Sequence, residues 1–464
     1  MSLERREQQK QECIKEMEAV FNYRETSKTK LIRITELSAR RPRIKFNNLS
    51  YLINEETLRE CHSEISGKKS VGIDKVTKEE YGKELEENLK TLVESIKKHS
   101  YKPQPSRLVE IPKPNGGKRQ LGIASHEDKL VQMAMNKILK AVYENEFIGN
   151  SYGFRENKSC HEAIKEADRI VMSKTINYVV EIDIEKFFDT IDHAKLIKGI
   201  SYRVNDFNLI RLIWRMLKAG TFKDGKRIES TEGIPQGSIV SPMIANIFLH
   251  WSIDKWFERI KKQIKGKTDY IRYADDMLFF FQYKAEAENF LKLIETRLEN
   301  VKLKMNKDKS KIVFLNRYKI SQKQSRATEA NMFNFLGFSH YFGKSVKSDK
   351  TRLKRITQRK TLRKRLEEFH CWIKSVRNTM KFGEIIELAK SKIRGHFQYY
   401  GVSDNSKSIK HYYNTSIKKL YFWLNRRSQK RSFNWDKFNE ILEKFKFPKP
   451  KIYCNIFKFC QTVC

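Results

Sequence analysis

No run of about 18 or more apolar residues occurs in this 464-residue chain, so a membrane-spanning helix is not expected. The N-terminus, MSLERREQQKQE, is charged from the start and lacks the apolar centre of a secretory signal. Acidic residues are the scarcer charge. There are 56 Asp and Glu against 94 Lys and Arg, a formal net charge of +38. An excess that large in a folded chain needs a polyanion nearby or tolerance of strong self-repulsion. Nucleic acid is the leading partner and an anionic membrane surface the runner-up. The seven cysteines are an odd number, and three of them sit beside a histidine: Cys61-His62, Cys160-His161 and His370-Cys371. Adjacent side chains point different ways on a helix or strand, so these are poor metal pairs. Cys454, Cys460 and Cys464 have no histidine close by, and reduced thiols in a cytoplasmic protein are preferred to a zinc site. No internal repeat or low-complexity linker stands out. Apolar residues at 39% and aromatics at 12% are enough for real cores, and the length suggests more than one domain.

Along the chain, residues 1–45 read as a basic polar arm, helical at first and without a strong core signal. Residues 46–344 read as globular, 345–445 as helical and dense in Lys and Arg, and 446–464 as a tail. SRLVEIPKPNGGKRQLGI holds two β-rich runs around Asn115-Gly116-Gly117, a hairpin signal. HEDKLVQMAMNKILKAVYENEF has helical periodicity, NYVVEIDIEKFFDTIDHAKLIKGI reads as strand, turn and helix, and YIRYADDMLFFFQY as strand, turn and strand.

Two acidic sites carry the chemistry. In Val179–Ile184, period-two alternation places Glu181 and Asp183 on one face of a strand. The second site is the adjacent pair Asp275-Asp276, inside an aromatic and apolar run. If the two strands pair, three carboxylates converge. Convergent acids are costly unless a cation neutralises them or one takes up a proton. A hard divalent metal with oxygen ligands does the former. Two such ions are the apparatus of nucleotidyl transfer: one lowers the pKa of an attacking hydroxyl, the other steadies the leaving phosphate oxygens. The competing reading makes Asp183 a surface acid and the pair an ordinary turn.

YADD between apolar runs, EIDIEKFFDTIDH upstream and GIPQGSIVSPMIANIFLH between them resemble a reverse transcriptase of the group II intron type. GFRENKSCHEAI, FNNLSYLINEETLRE and SKIRGHFQYYG match further blocks, so the resemblance covers roughly residues 47–430. It implies an α+β right-hand polymerase, with fingers and an antiparallel palm sheet in 46–344 and a helical thumb or maturase domain in 345–445. Asp183 and Asp275 would be the main ligands of two Mg2+ ions, with Mn2+ a possible substitute. Asp276 would support them and Ile184 would offer its backbone carbonyl. Phe188, five residues past Asp183, would sit under the sugar and leave no room for a 2′-hydroxyl; a core aromatic is the alternative. Lys113 and Arg119 would grip the triphosphate, Gln236 would line the nucleotide site and Lys309 would lie near the departing pyrophosphate. Phe335, Leu336 and Gly337 would form a primer-grip turn, and Arg394 would contact the primer–template. The implied partners are an RNA template, a DNA or RNA primer, dNTPs and a structured intron RNA, with no membrane. Most thumb aromatics are expected to be core. Only fourteen residues follow position 450, too few for the family's optional zinc-containing endonuclease domain, so target nicking is not expected of this chain. Two other employments stand beside this one. One is a host-adopted relative working in antiphage defence, CRISPR spacer acquisition or repair. The other is an RNA-binding splicing chaperone with an idle site, against which the intact set of Asp183, Phe188, Gln236, Asp275 and Asp276 argues.

Overall fold

The computed structural model describes residues 25–112, 117–315, 331–345, 350–427 and 433–457. Lys113, the tip of the Asn115 hairpin, the charged segment before residue 25 and the thiols Cys460 and Cys464 lie outside the described residues. Helices α1 (Ser27–Arg40), α2 (Glu55–Glu64), α3 (Lys78–Gly82) and α4 (Leu85–Lys97) precede strands β1 (Ser106–Pro112) and β2 (Lys118–Ile123) and helix α5 (His126–Tyr143). Helix α6 (Cys160–Ser173), strand β3 (Tyr178–Ile182), helices α7 (Phe187–Thr190), α8 (His193–Ile200) and α9 (Phe207–Lys218), and strands β4 (Thr221–Lys223) and β5 (Lys226–Ile228) follow. Helix α10 (Ser241–Leu249) passes through a π turn, His250–Asp254, into α11 (Lys255–Ile260). Next come β6 (Thr268–Tyr273), β7 (Asp276–Phe281), α12 (Lys284–Asn300) and β8 (Lys311–Phe314). Strands β9 (Phe333–Phe335), β10 (Phe338–Lys344) and β11 (Thr351–Thr357) lead to the final helices α13 (Arg359–Val376), α14 (Phe382–Tyr400), α15 (Ser406–Leu424) and α16 (Trp435–Lys444).

The α+β expectation holds, with three separate sheets ordered β2-β1-β4-β5, β6-β7-β3-β8 and β11-β10-β9. The second is antiparallel throughout. The run DMLFFF in β7 does not alternate because both faces of this sheet are covered. Tyr270, Phe279, Phe281, Val180 and Ile182 enter one core. Ile271, Leu278, Phe280, Val179 and Val313 enter another. Each fully buried phenylalanine contributes about 1.5–3 kcal/mol over an exposed one. The strands that present the acids are therefore held firmly from both sides. A third core, built from α13, α14, α15 and α16, takes in Phe397, Tyr412, Trp423 and Phe438. Most of the C-terminal aromatics are indeed core, while Phe422 stays exposed.

The N-terminal segment differs from the coreless arm read in the sequence. Thr26 caps α1 by accepting from the backbone of Thr29. Ile34 and Leu37 are buried one turn apart, and Ile44 and Phe46 follow them into the core. The buried Arg203 fastens the segment, donating to Ile44 O at 2.8 Å and to Ser38 Oγ at 3.0 Å and pairing with Glu146. Frequent Lys and Arg between the apolar positions hide that stripe in a reading by composition. Parts of the tail are also packed: Phe447 and Ile456 are buried, and the backbone of Cys454 bonds to Gly401 and Ser403.

Candidate active site

Strand β3 lies against β7 with Ile182 opposite Met277. One step further along that antiparallel register sets Asp183 opposite Asp276. Strands β6 and β7 close through Ala274 and Asp275, since Tyr273 pairs with Asp276. Ala274 takes a left-handed φ of 54° to make this tight turn. All three aspartates line one cleft of about 980 Å3. The end of β3 and the β6–β7 turn, with Asp275 at its apex, thus bring the three aspartates to one side of the sheet.

The aspartates press on each other. Desolvation by the surrounding protein, then Asp275, then Asp183, push the pKa of Asp276 up to about 7, with Lys309 pulling the other way. The side chain is open to the cleft but walled by protein, so surface exposure and desolvation coexist. Asp275 is also raised, by burial first and Asp183 next, while Arg119 and Arg272 oppose the rise. Two desolvated, mutually repelling carboxylates are a donor set that suits a hard divalent cation. Among the described residues, no three His, Cys, Asp or Glu side chains are gathered closely enough to form a ready-made cage. Instead Lys309 Nζ lies 3.3 Å from Asp183 Oδ2.

The rest of the cleft brings together most of the residues singled out in the sequence. Ile184 follows Asp183, its side chain buried and its backbone bridged to Met305. Phe188 is half-buried on the cleft wall, 5.2 Å from Phe187 in an edge-to-face contact. It is thus partly core and partly cleft. Gln236 donates to Asp189 Oδ1 at 2.9 Å and accepts from the backbone of Gly122 at 2.7 Å, locking its loop to β2. Gly237 has a φ of 104°, and a Cβ there would meet Gly122 O. Arg119 projects from β2 at the rim. Leu336 and Gly337 form the β9–β10 turn at φ 49° and 80°, and Tyr399 Oη donates to Leu336 O at 3.1 Å. Leu336 reaches the cleft, while Phe335 is buried behind it. Arg394 is not brought in: it is exposed on α14, between the buried Ile393 and the buried His396 and Phe397, and is not a lining residue.

The acid turn rests on residues that its motif does not name. Arg272, fully buried, grips Asp254 of the π turn with two bonds of 2.8 and 2.6 Å. It also donates to Asn246 Oδ1 at 2.8 Å and to Ala274 O at 3.2 Å. Gly153 lies beneath the turn, where a Cβ would collide with the backbone of Ala274. Glu181 has a pKa pushed up to about 7 by burial, and it accepts from Asn334 N at 2.9 Å, joining the sheet to β9. The available signals were an arginine in a strand apolar on both faces and an acid in the apolar run IFLHWSIDKW.

Residues 111–340, which hold the whole cleft floor, match the family model described as reverse transcriptase (RNA-dependent DNA polymerase). Protein YkfC of Escherichia coli is 32% identical over 281 residues, 54% of this chain and 74% of its own. The group II intron-encoded protein LtrA of Lactococcus lactis is 39% identical over 184 residues, 39% of this chain and 30% of its own. A 91 kDa protein in the cob intron of Schizosaccharomyces pombe is 37% identical over 201 residues, 43% of this chain and 24% of its own. The alignments thus span less than a third of these two intron proteins. Among solved structures, a telomerase from Candida albicans in complex with a fragment of telomeric RNA aligns over 75% of this chain and 64% of its own. Its TM-score is 0.38 and its identity 12%, too loose a likeness to carry an argument. Paired aspartates at the ends of β3 and the β6–β7 turn, in a region that matches both the family model and intron-encoded relatives, make this chain a member of the reverse transcriptase family of the group II intron type.

Proposed function

We propose that the protein copies RNA into DNA, extending a DNA or RNA primer with dNTPs at the cleft between Asp183 and the Asp275-Asp276 turn. The observation that carries this reading is the β3–β7 register that brings Asp183 and the desolvated Asp275-Asp276 turn to one cleft. Reverse transcriptases in general use divalent metals. Here Asp183, Asp275, Asp276 and the Ile184 carbonyl would hold two Mg2+ ions, for which Mn2+ could substitute. Those ions would acidify the primer hydroxyl and neutralise charge on the phosphates. Phe188 would bar a 2′-hydroxyl by filling the space beneath the sugar. Arg119 and Lys113 would clamp the triphosphate oxygens, a task suited to a planar guanidinium. Lys309, now beside Asp183, would move to the departing pyrophosphate. The Leu336-Gly337 turn, tied to α14 by Tyr399, would hold the primer end.

The binding surface would be phosphate-dominated, a reading that the net charge of +38 favours. The intron-encoded relatives favour a structured intron RNA as one partner, bound for splicing as well as copying. The test is extension of a labelled primer on an RNA template by purified protein with dNTPs and Mg2+. Product that appears with Mg2+ and vanishes with a chelator is expected; no extension under either condition would sink the proposal.

A further inference from the structure

Twelve described non-glycine residues adopt a positive φ, and four of them, Phe154, Lys186, Ala274 and Leu336, line the catalytic cleft. Phe154 is the unusual one. A bulky aromatic is a strained occupant of left-handed backbone at its φ of 57°. Burial does not compensate it, because the residue is 59% exposed.

The neighbours explain how the strain is imposed. On one side, Gly153 is pinned under the acid turn and its carbonyl accepts from Asn246 Nδ2 at 2.7 Å. Tyr152 N donates to Arg272 O at 2.8 Å. On the other side, Arg155 is drawn inward. It donates to Glu144 Oε1, Ile148 O and Ser151 O, each at 2.8 Å, and lies over the ring of Phe147. With both neighbours fixed, residue 154 must turn outward through left-handed backbone. Glycine would meet that demand without strain. The phenyl ring held there is exposed and lines the cleft, one residue from the glycine that abuts Ala274.

Resting on the polymerase reading above, we propose that Phe154 is a substrate-contacting residue whose ring packs on the flat face of a nucleobase or ribose at the reacting end of the cleft. The flat face could belong to the primer–template or to the incoming nucleotide. The mixed charge around it suits either: Arg119 and Lys309 offer cations to phosphates, while Phe154 offers the apolar plane that bases need.

The experiment compares wild type with Phe154→Gly, Phe154→Leu and Phe154→Tyr. Three readouts are the melting temperature, the Kd for a labelled primed RNA template by anisotropy, and the kcat and KM for dNTP in primer extension. Phe154→Gly is expected to melt no lower than wild type, because it relieves the backbone. Either its template Kd or its kcat/KM for dNTP should worsen by roughly 10- to 100-fold, the range a lost base–aromatic stack supplies. Worsened Kd assigns the contact to the primer–template; raised KM for dNTP assigns it to the nucleotide. Phe154→Tyr should restore the value and Phe154→Leu should not. Binding and extension within twofold of wild type in Phe154→Gly would overturn the proposal. So would rescue by leucine, or a fall in melting temperature that accounts for the lost activity. A wild type that binds template but cannot extend it would refute the proposed function, while the binding comparison would still judge Phe154.

Discussion

Replacing Arg272 by methionine removes the cation from beneath the acid turn while keeping much of the side-chain volume. Asp254 then loses its bidentate partner in a fully buried site. Burial by itself would raise the pKa of Asp254, but Arg272 and His250 hold it below the ordinary carboxylate range. Breaking a buried pair from one side costs about 3–5 kcal/mol, because the other charge is left uncompensated. The same change deletes the bond from Arg272 to Ala274 O, which helps fix the turn carrying Asp275. Two variants separate the effects. Arg272→Met should lower unfolding stability in urea by about 3–5 kcal/mol. Arg272→Met with Asp254→Leu should regain most of that, since an apolar pair of similar volume is tolerated in place of a buried ion pair. Primer extension, measured well below melting, should stay depressed in the double variant by about tenfold to a hundredfold, because the turn is no longer held in place. The pH dependence follows from the depressed carboxylate: the pair's stabilisation is fully present above the unfolded pKa of about 3.9 and is lost as pH falls through the lower folded value. A single variant costing less than about 1 kcal/mol, as a surface pair would, refutes the structural role. A double variant with full activity refutes the positioning role.

Phe188→Ala should weaken the preference for dNTPs over ribonucleotides by about 10- to 100-fold, the size expected of a lost steric contact; discrimination measured by steady-state incorporation that stays unchanged would remove the gate assignment. RNA affinity should fall by about 10^3-fold or more between roughly 50 and 200 mM salt if six or more phosphates are contacted, and a flat titration would contradict a phosphate-dominated surface.

The aspartates were legible because their signals are local. Alternation in Val179–Ile184 faces Asp183 the same way as Glu181, and an acid pair inside aromatic strands points to a tight turn. Arg272, in the same fourteen-residue run YIRYADDMLFFFQY, was missed because its role depends on Asp254 and Asn246, which a linear pattern does not bring near. The packing of α1 was missed because Ile34 and Leu37 are few among basic residues, and it is Arg203, more than 150 residues away, that secures the segment; the helix expected nearer the N-terminus lies outside the described residues. Arg394 lies outside the cleft, on the exposed side of α14. Resemblance locates a motif on a helix, but the hundred-degree step per residue decides which side chains are buried; Ile393, His396 and Phe397 take the inward positions, so a primer–template contact by Arg394 would be made from the outer face. Which of Asp275 and Asp276 sits at the apex of the turn depended on register, which sequence leaves open by one residue.

The proposed function rests on these three aspartates forming a metal-dependent nucleotidyl-transfer site. Single-turnover extension of a primed RNA template with Mg2+ and dNTPs, comparing wild type with Asp275→Ala, tests it most directly. Asp275→Ala should lose activity on the order of 10^3-fold or more with template affinity retained; an Asp275→Ala protein that extends the primer as well as wild type would rule such a site out.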